Sequence, residues 1–377
     1  MASTVYLVVM VTAGAFDGER PLHPAGEQVL LAAFERGWAD PQGLGSASAQ
    51  SRHLLTSARE EIAGHLGVSP EEIEIWGESA LISPIAIQGA PNFGSGKLIV
   101  GATERQEILA LAERAPSSVK IPVSQTGLLN RDYLLEHVES NSTVAIQAAN
   151  IETGVTQNLR DLSQIVGGMS SHLHLDYTAS GPLLPLPSYW STADFPAKSW
   201  DGPSGIGFML INKNHRWSNP LSSATTRRSP GSYSLPLVLA SAAALTGWLK
   251  DAQSESERIR SLIMMMREVI SRTVPDVDIA GSGLKSESLP HVLSFSALNI
   301  SGERLVNALA RVGFAVASGS ACIASAIEPS HVLQAMGLLT HGNIRVSLMH
   351  GVIESDVKKF LALLPGIISQ LRSEEGA

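Results

Sequence analysis

The chain has 377 residues, 44% apolar and 16% charged, with a formal charge of −8 and one cysteine. That size leaves room for two domains, while the cysteine count excludes an internal disulfide framework and any metal site built on several thiolates. The acidic balance argues against a general binder of nucleic acid or of anionic membranes, and the longest apolar runs, LVVMV (7–11) and VLASAAAL (238–245), fall far short of a bilayer span of roughly 20 residues.

The opening segment MASTVYLVVMVTAGAFDGERP lacks the basic start of a secretory signal and reads as a strand leading into a loop, so a cytoplasmic location is expected. From residue 70 to about 212, short apolar runs alternate with amphipathic stretches. The predicted strands are IEIW (73–76), KLIV (97–100), VKIPV (119–123), TVAIQ (143–147), HLHLD (172–176) and IGFMLI (206–211). Between them, ERQEILALAER, RDYLLEHVE and NLRDLSQIVGG carry helical spacing. Such alternation predicts an α/β fold with a mainly parallel sheet covered on both faces, whose ligands gather at the carboxyl ends of the strands. The loops after Val100, Gln147 and Asp176 are therefore the first places to look for chemistry.

A long stretch at 235–272, first apolar and then charged, predicts one or two helices at a change of domain. Beyond it, VDIAG, HVLSFSAL, ERLVNALARVG, NIRVSLM and a terminal amphipathic helix from about Glu354 read as a smaller α+β unit. The expected division is 1–240, with the first residues able to pack on the smaller unit, and 241–377.

Five side chains invite a chemical reading. Cys322 lies among Ser318, Gly319, Ser320 and Ala321, small residues that suit a solvent-reachable loop better than a core; a lone cysteine is otherwise an ordinary small hydrophobe, whereas an accessible one can become a nucleophilic thiolate. Asp176, at the carboxyl end of HLHLD, either caps the next helix or sits beneath a ligand as a fixed charge. Arg345 interrupts the apolar pattern NIRVSLM, where an unpaired guanidinium is costly and a carboxylate, internal or from a substrate, would resolve it. His172 and His174 share one strand face, but no acidic or cysteine partner completes a metal spacing, so packing or ring stacking is favoured over a metal.

SGSACIASAIEPSHVLQAMG followed by NIRVSLM resembles the catalytic loop and following strand of cysteine desulfurases of the IscS/NifS type, in the class V aminotransferase superfamily. AANIETGVTQNLRDLSQI is similar to that family's strand and loop of the form A-N-N-E-x-G-x-x-Q, HLHLD resembles its H-x-D motif, and SWDGPSGIGFMLI resembles the segment after its Schiff-base lysine. SRHLLTSAREEIAGHLGVSPEEI also looks like the family's N-terminal helix region, so the likeness covers nearly the whole chain.

The resemblance implies a PLP-dependent transferase fold of type I: a large domain with a mainly parallel seven-stranded sheet, a smaller α+β C-terminal domain, and a homodimer. It implies pyridoxal 5′-phosphate (PLP) as cofactor and removal of sulfur from L-cysteine, with alanine released and a persulfide left on Cys322. A sulfur-acceptor protein and iron–sulfur cluster assembly would follow. Asp176 matches the partner of the pyridine nitrogen, Asn150 a cofactor-contacting asparagine, His174 a further cofactor contact, Arg345 the arginine for the substrate carboxylate, and Ser232, after Arg227 and Arg228, a residue reaching the partner subunit's phosphate site.

The chain departs from the family pattern at four places. Counting back from Gly202 and Pro203 puts Ser199 where the lysine belongs and leaves Lys198 one position early, so on a strand it would face the other way unless the backbone bulges. The phosphate-cradling loop reads GESA (77–80), with Glu78 where a dianion should lie; the ring-stacking histidine is Arg105, and a glutamine three beyond the aspartate is Ala179. Beside desulfuration there stands the alternative of a PLP-free relative acting as a dimeric binding or scaffold protein. Another class V reaction, transamination or β-elimination, is a third reading.

Overall fold

The computed structural model describes residues 14–221, 233–284, 287–318 and 329–375. The chain opens with β1 (Ala15–Phe16) and the helices α1 (Pro24–Arg36) and α2 (Ser46–Leu66). It continues through β2 (Ile73–Trp76), α3 (Ile82–Gln88), β3 (Leu98–Gly101), α4 (Gln106–Arg114), β4 (Ser118–Ile121), α5 (Arg131–His137), β5 (Thr143–Gln147) and α6 (Leu159–Gly168). Next come β6 (His172–Asp176), β7 (Thr192–Pro196), β8 (Gly207–Ile211), α7 (Leu235–Trp248) and α8 (Ala252–Thr273). The remainder is β9 (Val277–Ile279), β10 (Val292–Ala297), α9 (Gly302–Arg311), β11 (Ala315–Val316), α10 (His331–Met336), β12 (Asn343–Ser347) and α11 (Glu354–Glu375).

Seven strands form one sheet in the order β2-β8-β7-β6-β5-β3-β4. β3 to β7 run parallel to their neighbours, and β8 lies antiparallel between β7 and β2. The runs TVAIQ, HLHLD and GFMLI are buried along their whole length, as expected where helices cover both faces. The helices follow local rules. In α6, Asn158 caps the first turn through Oδ1, which accepts from Asp161 N at 3.3 Å, and Leu159, Leu162, Ile165 and Val166 fall on one buried face. In α2 the last turn closes on Gly67, whose left-handed φ of 70° suits a residue without Cβ. The predicted helical stretch 235–272 is two helices, α7 and α8.

Two large hydrophobic cores result, with smaller clusters beside them. One lies under the large sheet and includes Tyr177, Trp190, Phe195 and Trp200. The other joins α8, α9 and α11 to the antiparallel sheet β12-β10-β9 and holds Phe295, Phe314 and Phe360. Phe16 belongs to this second core, because β1 pairs in parallel with β11; its ring lies 5.5 Å from that of Phe314 and 5.6 Å from that of Phe360. Among the described residues, no helix is long and apolar enough to cross a membrane.

Candidate active site

The carboxyl ends of β3, β5, β6 and β7 meet a cavity of about 370 Å³ that also reaches β12 and the residues just after β1. Arg20, Arg105, Thr178, Lys198, His291 and Arg345 are among its walls. Asp176 ends β6 beside this cavity and is almost wholly buried. Its Oδ1 accepts from the backbone N–H of Thr178 at 2.7 Å, and its Oδ2 from Nε of Arg105 at 2.6 Å.

Arg105 caps α4 directly after β3, and the parallel pairing of the strands carries its side chain across to Asp176. Its Nη2 donates to Ser83 Oγ at 2.9 Å and lies 3.6 Å from Asp194 Oδ2, while Nη1 pairs with Glu107. Asp194 stands in β7 opposite Asp176. It is fully buried and accepts from Ser83 Oγ at 2.5 Å and from the backbone N–H of Tyr177 at 3.1 Å.

Two buried carboxylates and one guanidinium cannot all behave as free groups. Burial opposes ionisation of Asp176, but the Arg105 guanidinium and Thr178 outweigh it and hold this carboxyl below the usual range. Burial, and then the charge of Asp176, push Asp194 well above it. Glu104, next to Arg105, accepts from the backbone N–H of Gln147 at 2.9 Å and is likewise pushed well up by burial. His172 and His174 both reach Thr192 Oγ1, at 3.2 and 3.1 Å; burial lowers them to about 3 and about 4, and each is neutral.

The segment after β7 differs from the strand expected around Lys198. Residues Ala197–Trp200 form a single 3₁₀ turn, closed by Asp201 at a left-handed φ of 59°. In such a turn residues three apart share a face, and Ala197 and Trp200 are both completely buried, with Trp200 Nε1 donating to Ser241 O at 3.1 Å. Lys198 and Ser199 therefore both border the cavity. Lys198 Nζ forms an ion pair with Glu19 at 2.9 Å on a side chain that is 45% exposed, and Ser199 Oγ donates to Pro196 O at 2.8 Å.

Asn150 is committed to main-chain groups of its own loop and of the loop after β3: Nδ2 donates to Thr103 O at 3.1 Å, and Oδ1 accepts from the backbone N–H groups of Glu152 and Thr153 at 3.0 and 2.9 Å. Arg345, in β12, lies across the cavity. Nη2 donates to Asp17 O at 3.1 Å and Nη1 to Ile151 O at 3.5 Å, while Nε is buried without a partner. Among the described residues no carboxylate forms an ion pair with it. The cavity thus brings together Arg345, Lys198 and Arg105, with Asp176 behind Arg105; Asn150 and His174 support the loops and strands around it. Cys322 and Ser232 lie outside the described residues. No group of three His, Cys, Asp or Glu among the described residues could hold a metal ion.

Sequence reasoning passed over Asp194, Ser83, Arg20 and Glu19. An acid inside the otherwise apolar TADFP was the available signal for Asp194. The others become visible only once the topology sets them beside the cavity.

A mainly parallel sheet with a ligand cavity at its carboxyl edge, shared with a smaller antiparallel sheet, is the architecture of the PLP-dependent transferases of class V. The chain matches the family model "Aminotransferase class-V" over residues 32–360 and belongs to that family. It is 25% identical to a cysteine desulfurase IscS from Dictyoglomus turgidum over 370 residues, covering 94% of this chain and 93% of that protein. It is 28% identical to a cysteine desulfurase IscS from Photorhabdus laumondii over 341 residues, covering 86% and 83%. Among solved structures, a NifS-like protein superposes with a TM-score of 0.85 at 22% identity, covering 96% of this chain and all of that one.

The family is PLP-dependent, yet the residues in this cavity do not fit that cofactor. The carboxylate that the resemblance sets facing the ring nitrogen is held by Arg105 at 2.6 Å, and counting back from Gly202 and Pro203 sets Ser199 where the family's lysine is expected. The N–H of Ala80, on the loop that would cradle the phosphate, is taken by Glu78 Oε1 at 3.1 Å.

Proposed function

We propose that this chain has a cysteine desulfurase-like function built on amino-acid recognition, in which a small zwitterion of the cysteine class enters the cavity and sets its carboxylate on Arg345. The observation that carries this reading is the Arg345 fork. It borders the cavity, among the described residues reaches only two main-chain oxygens, and keeps Nε buried without a partner there. A guanidinium so placed is stabilised by a planar bidentate acceptor, which a ligand carboxylate supplies. His291 is held neutral beside it by burial and by the neighbouring Arg20 and Arg345, so it adds no competing charge. Titration calorimetry of L-cysteine into the full chain tests the proposal. A charge-assisted hydrogen bond contributes about 1.5–3 kcal/mol, so Arg345→Ala is expected to weaken binding about 10- to 100-fold, with part of the affinity kept by Arg345→Lys. Equal affinity in wild type and Arg345→Ala would refute it.

A second reading keeps the whole desulfuration: sulfur leaves L-cysteine, alanine is released, and Cys322 carries the persulfide to an acceptor protein for iron–sulfur assembly, within a cytoplasmic homodimer. The presence of Lys198 in the same cavity wall as Arg345 favours it. Alanine formation from cysteine in the presence of PLP, abolished in both Cys322→Ala and Lys198→Ala, would select this reading over recognition alone.

A further inference from the structure

We infer that Arg105 and Glu78 are built-in substitutes for the two charged ends of PLP, so that the chain keeps the family's cavity while closing it to the family's cofactor. The inference goes beyond recognition at Arg345 and does not depend on it. A bound pyridinium would offer Asp176 a planar, delocalised cation with one N–H directed at the carboxylate. Arg105 offers the same from within the chain, as a planar cation with Nε 2.6 Å from Asp176 Oδ2. The rest of the guanidinium is also engaged, on Ser83, Asp194 and Glu107. Thr178 N–H occupies the other oxygen of Asp176. A ring entering here would have to break that pair and strand a guanidinium that is 17% exposed, with two carboxylates behind it.

The phosphate end is closed by the opposite charge. A turn that binds phosphate does so with free N–H groups, and a nearby acid repels the dianion. Here the Glu78 carboxylate already accepts from Ala80 N–H, as a capping anion would. At the third anchor the amine slot holds Ser199, and Lys198 is paired with Glu19. A cation thus sits where the ring's cation would lie, and on the phosphate loop an acid already holds a turn N–H.

The test uses the purified full chain and reads thermal unfolding and the absorbance of added PLP, neither of which requires turnover. Wild type is expected to show no PLP-dependent rise in melting temperature and no new band at the visible edge. Arg105→His is expected to melt lower than wild type and to be raised again by PLP. Its apparent PLP affinity should improve at least about tenfold, equivalent to about 1.4 kcal/mol, and further when Glu78→Gly is added. Should Arg105→His fail to fold, Glu78→Gly in the wild-type background, with Arg105→Lys as the charge-keeping control, carries the same comparison. The gain is then expected in the former and not in the latter. Saturable stabilisation of wild type by PLP that disappears in Asp176→Asn, or a borohydride-fixed adduct on Lys198, would overturn the inference. So would variants that fold and gain no PLP affinity. Loss of cysteine binding in Arg345→Ala is a separate result and bears only on the recognition reading.

Discussion

Replacing Arg105 by alanine removes the only cation among the described residues that contacts two buried carboxylates, and the size and pH dependence of the damage follow from the geometry. The side chains of Arg105, Asp176 and Asp194 are 17%, 4% and 0% exposed, so solvent screens their interactions little. Breaking a buried pair by deleting one partner costs about 3–5 kcal/mol, because the surviving charge keeps its desolvation penalty. In the wild type Asp176 is held below its unfolded value. Its contribution is therefore present above about pH 4 and is lost as pH falls through the folded value. Without Arg105 burial dominates and Asp176 moves the other way, so the folded variant takes up a proton that the unfolded chain releases, and its stability falls as pH rises from about 4 to 7. The gap between Arg105→Ala and wild type should thus be widest at neutral pH and shrink toward pH 4.5. Urea unfolding followed by tryptophan fluorescence reads it, since Trp190, Trp200 and Trp248 report on the core beneath this sheet. A gap below about 1 kcal/mol at pH 7, the upper end for an exposed pair, would refute the reasoning. So would a gap of equal size at both pH values.

The buried histidines supply a second pH signature. His172 and His174 are lowered to about 3 and about 4, so stability present above their unfolded value near 6.5 is lost as pH falls through that window, and His172→Asn should flatten the acid limb of a melting-temperature profile. Lys198→Ala should leave stability within about 1 kcal/mol of wild type by urea unfolding, because its pair with Glu19 is 45% and 75% exposed. Gly154 has φ +74°, and a Cβ there would meet Val292 Cβ at 2.8 Å, so Gly154→Ala should lower stability by more than about 1 kcal/mol, visible as a reduced urea midpoint. In the second core, Phe360→Ala should cost about 3–5 kcal/mol, and calorimetry should show the loss.

Much of the large sheet was legible because fully buried parallel strands are unbroken apolar runs: TVAIQ and HLHLD are observed with the predicted bounds, 143–147 and 172–176. β7 was not, since TADFP places an acid mid-strand and a proline at its end; that acid is accommodated by its bonds to Ser83 and Tyr177 N–H, with burial pushing it toward its neutral form. Those partners lie 111 and 17 residues away along the chain, beyond any local pattern. The same holds at the site. Arg345 stood out as a charge inside an apolar strand, and Arg105 as a residue of the wrong kind for a ring-stacking position. That Arg105 reaches Asp176, 71 residues away, follows only from the adjacency of β3, β5 and β6 in the sheet. At Lys198 the alternation rule of strands does not apply, because the buried pair Ala197 and Trp200 winds the backbone into a 3₁₀ turn.

The short run from Phe16 to Arg20 touches both halves of the molecule in quick succession. Phe16 is locked among Phe314 and Phe360, Asp17 O receives Arg345, Glu19 holds Lys198, and Arg20 meets Asp201 at 3.3 Å. Within five consecutive residues the chain thus passes from the second core to the wall of the cavity. A substitution in this run therefore reaches the second core and the cavity wall together.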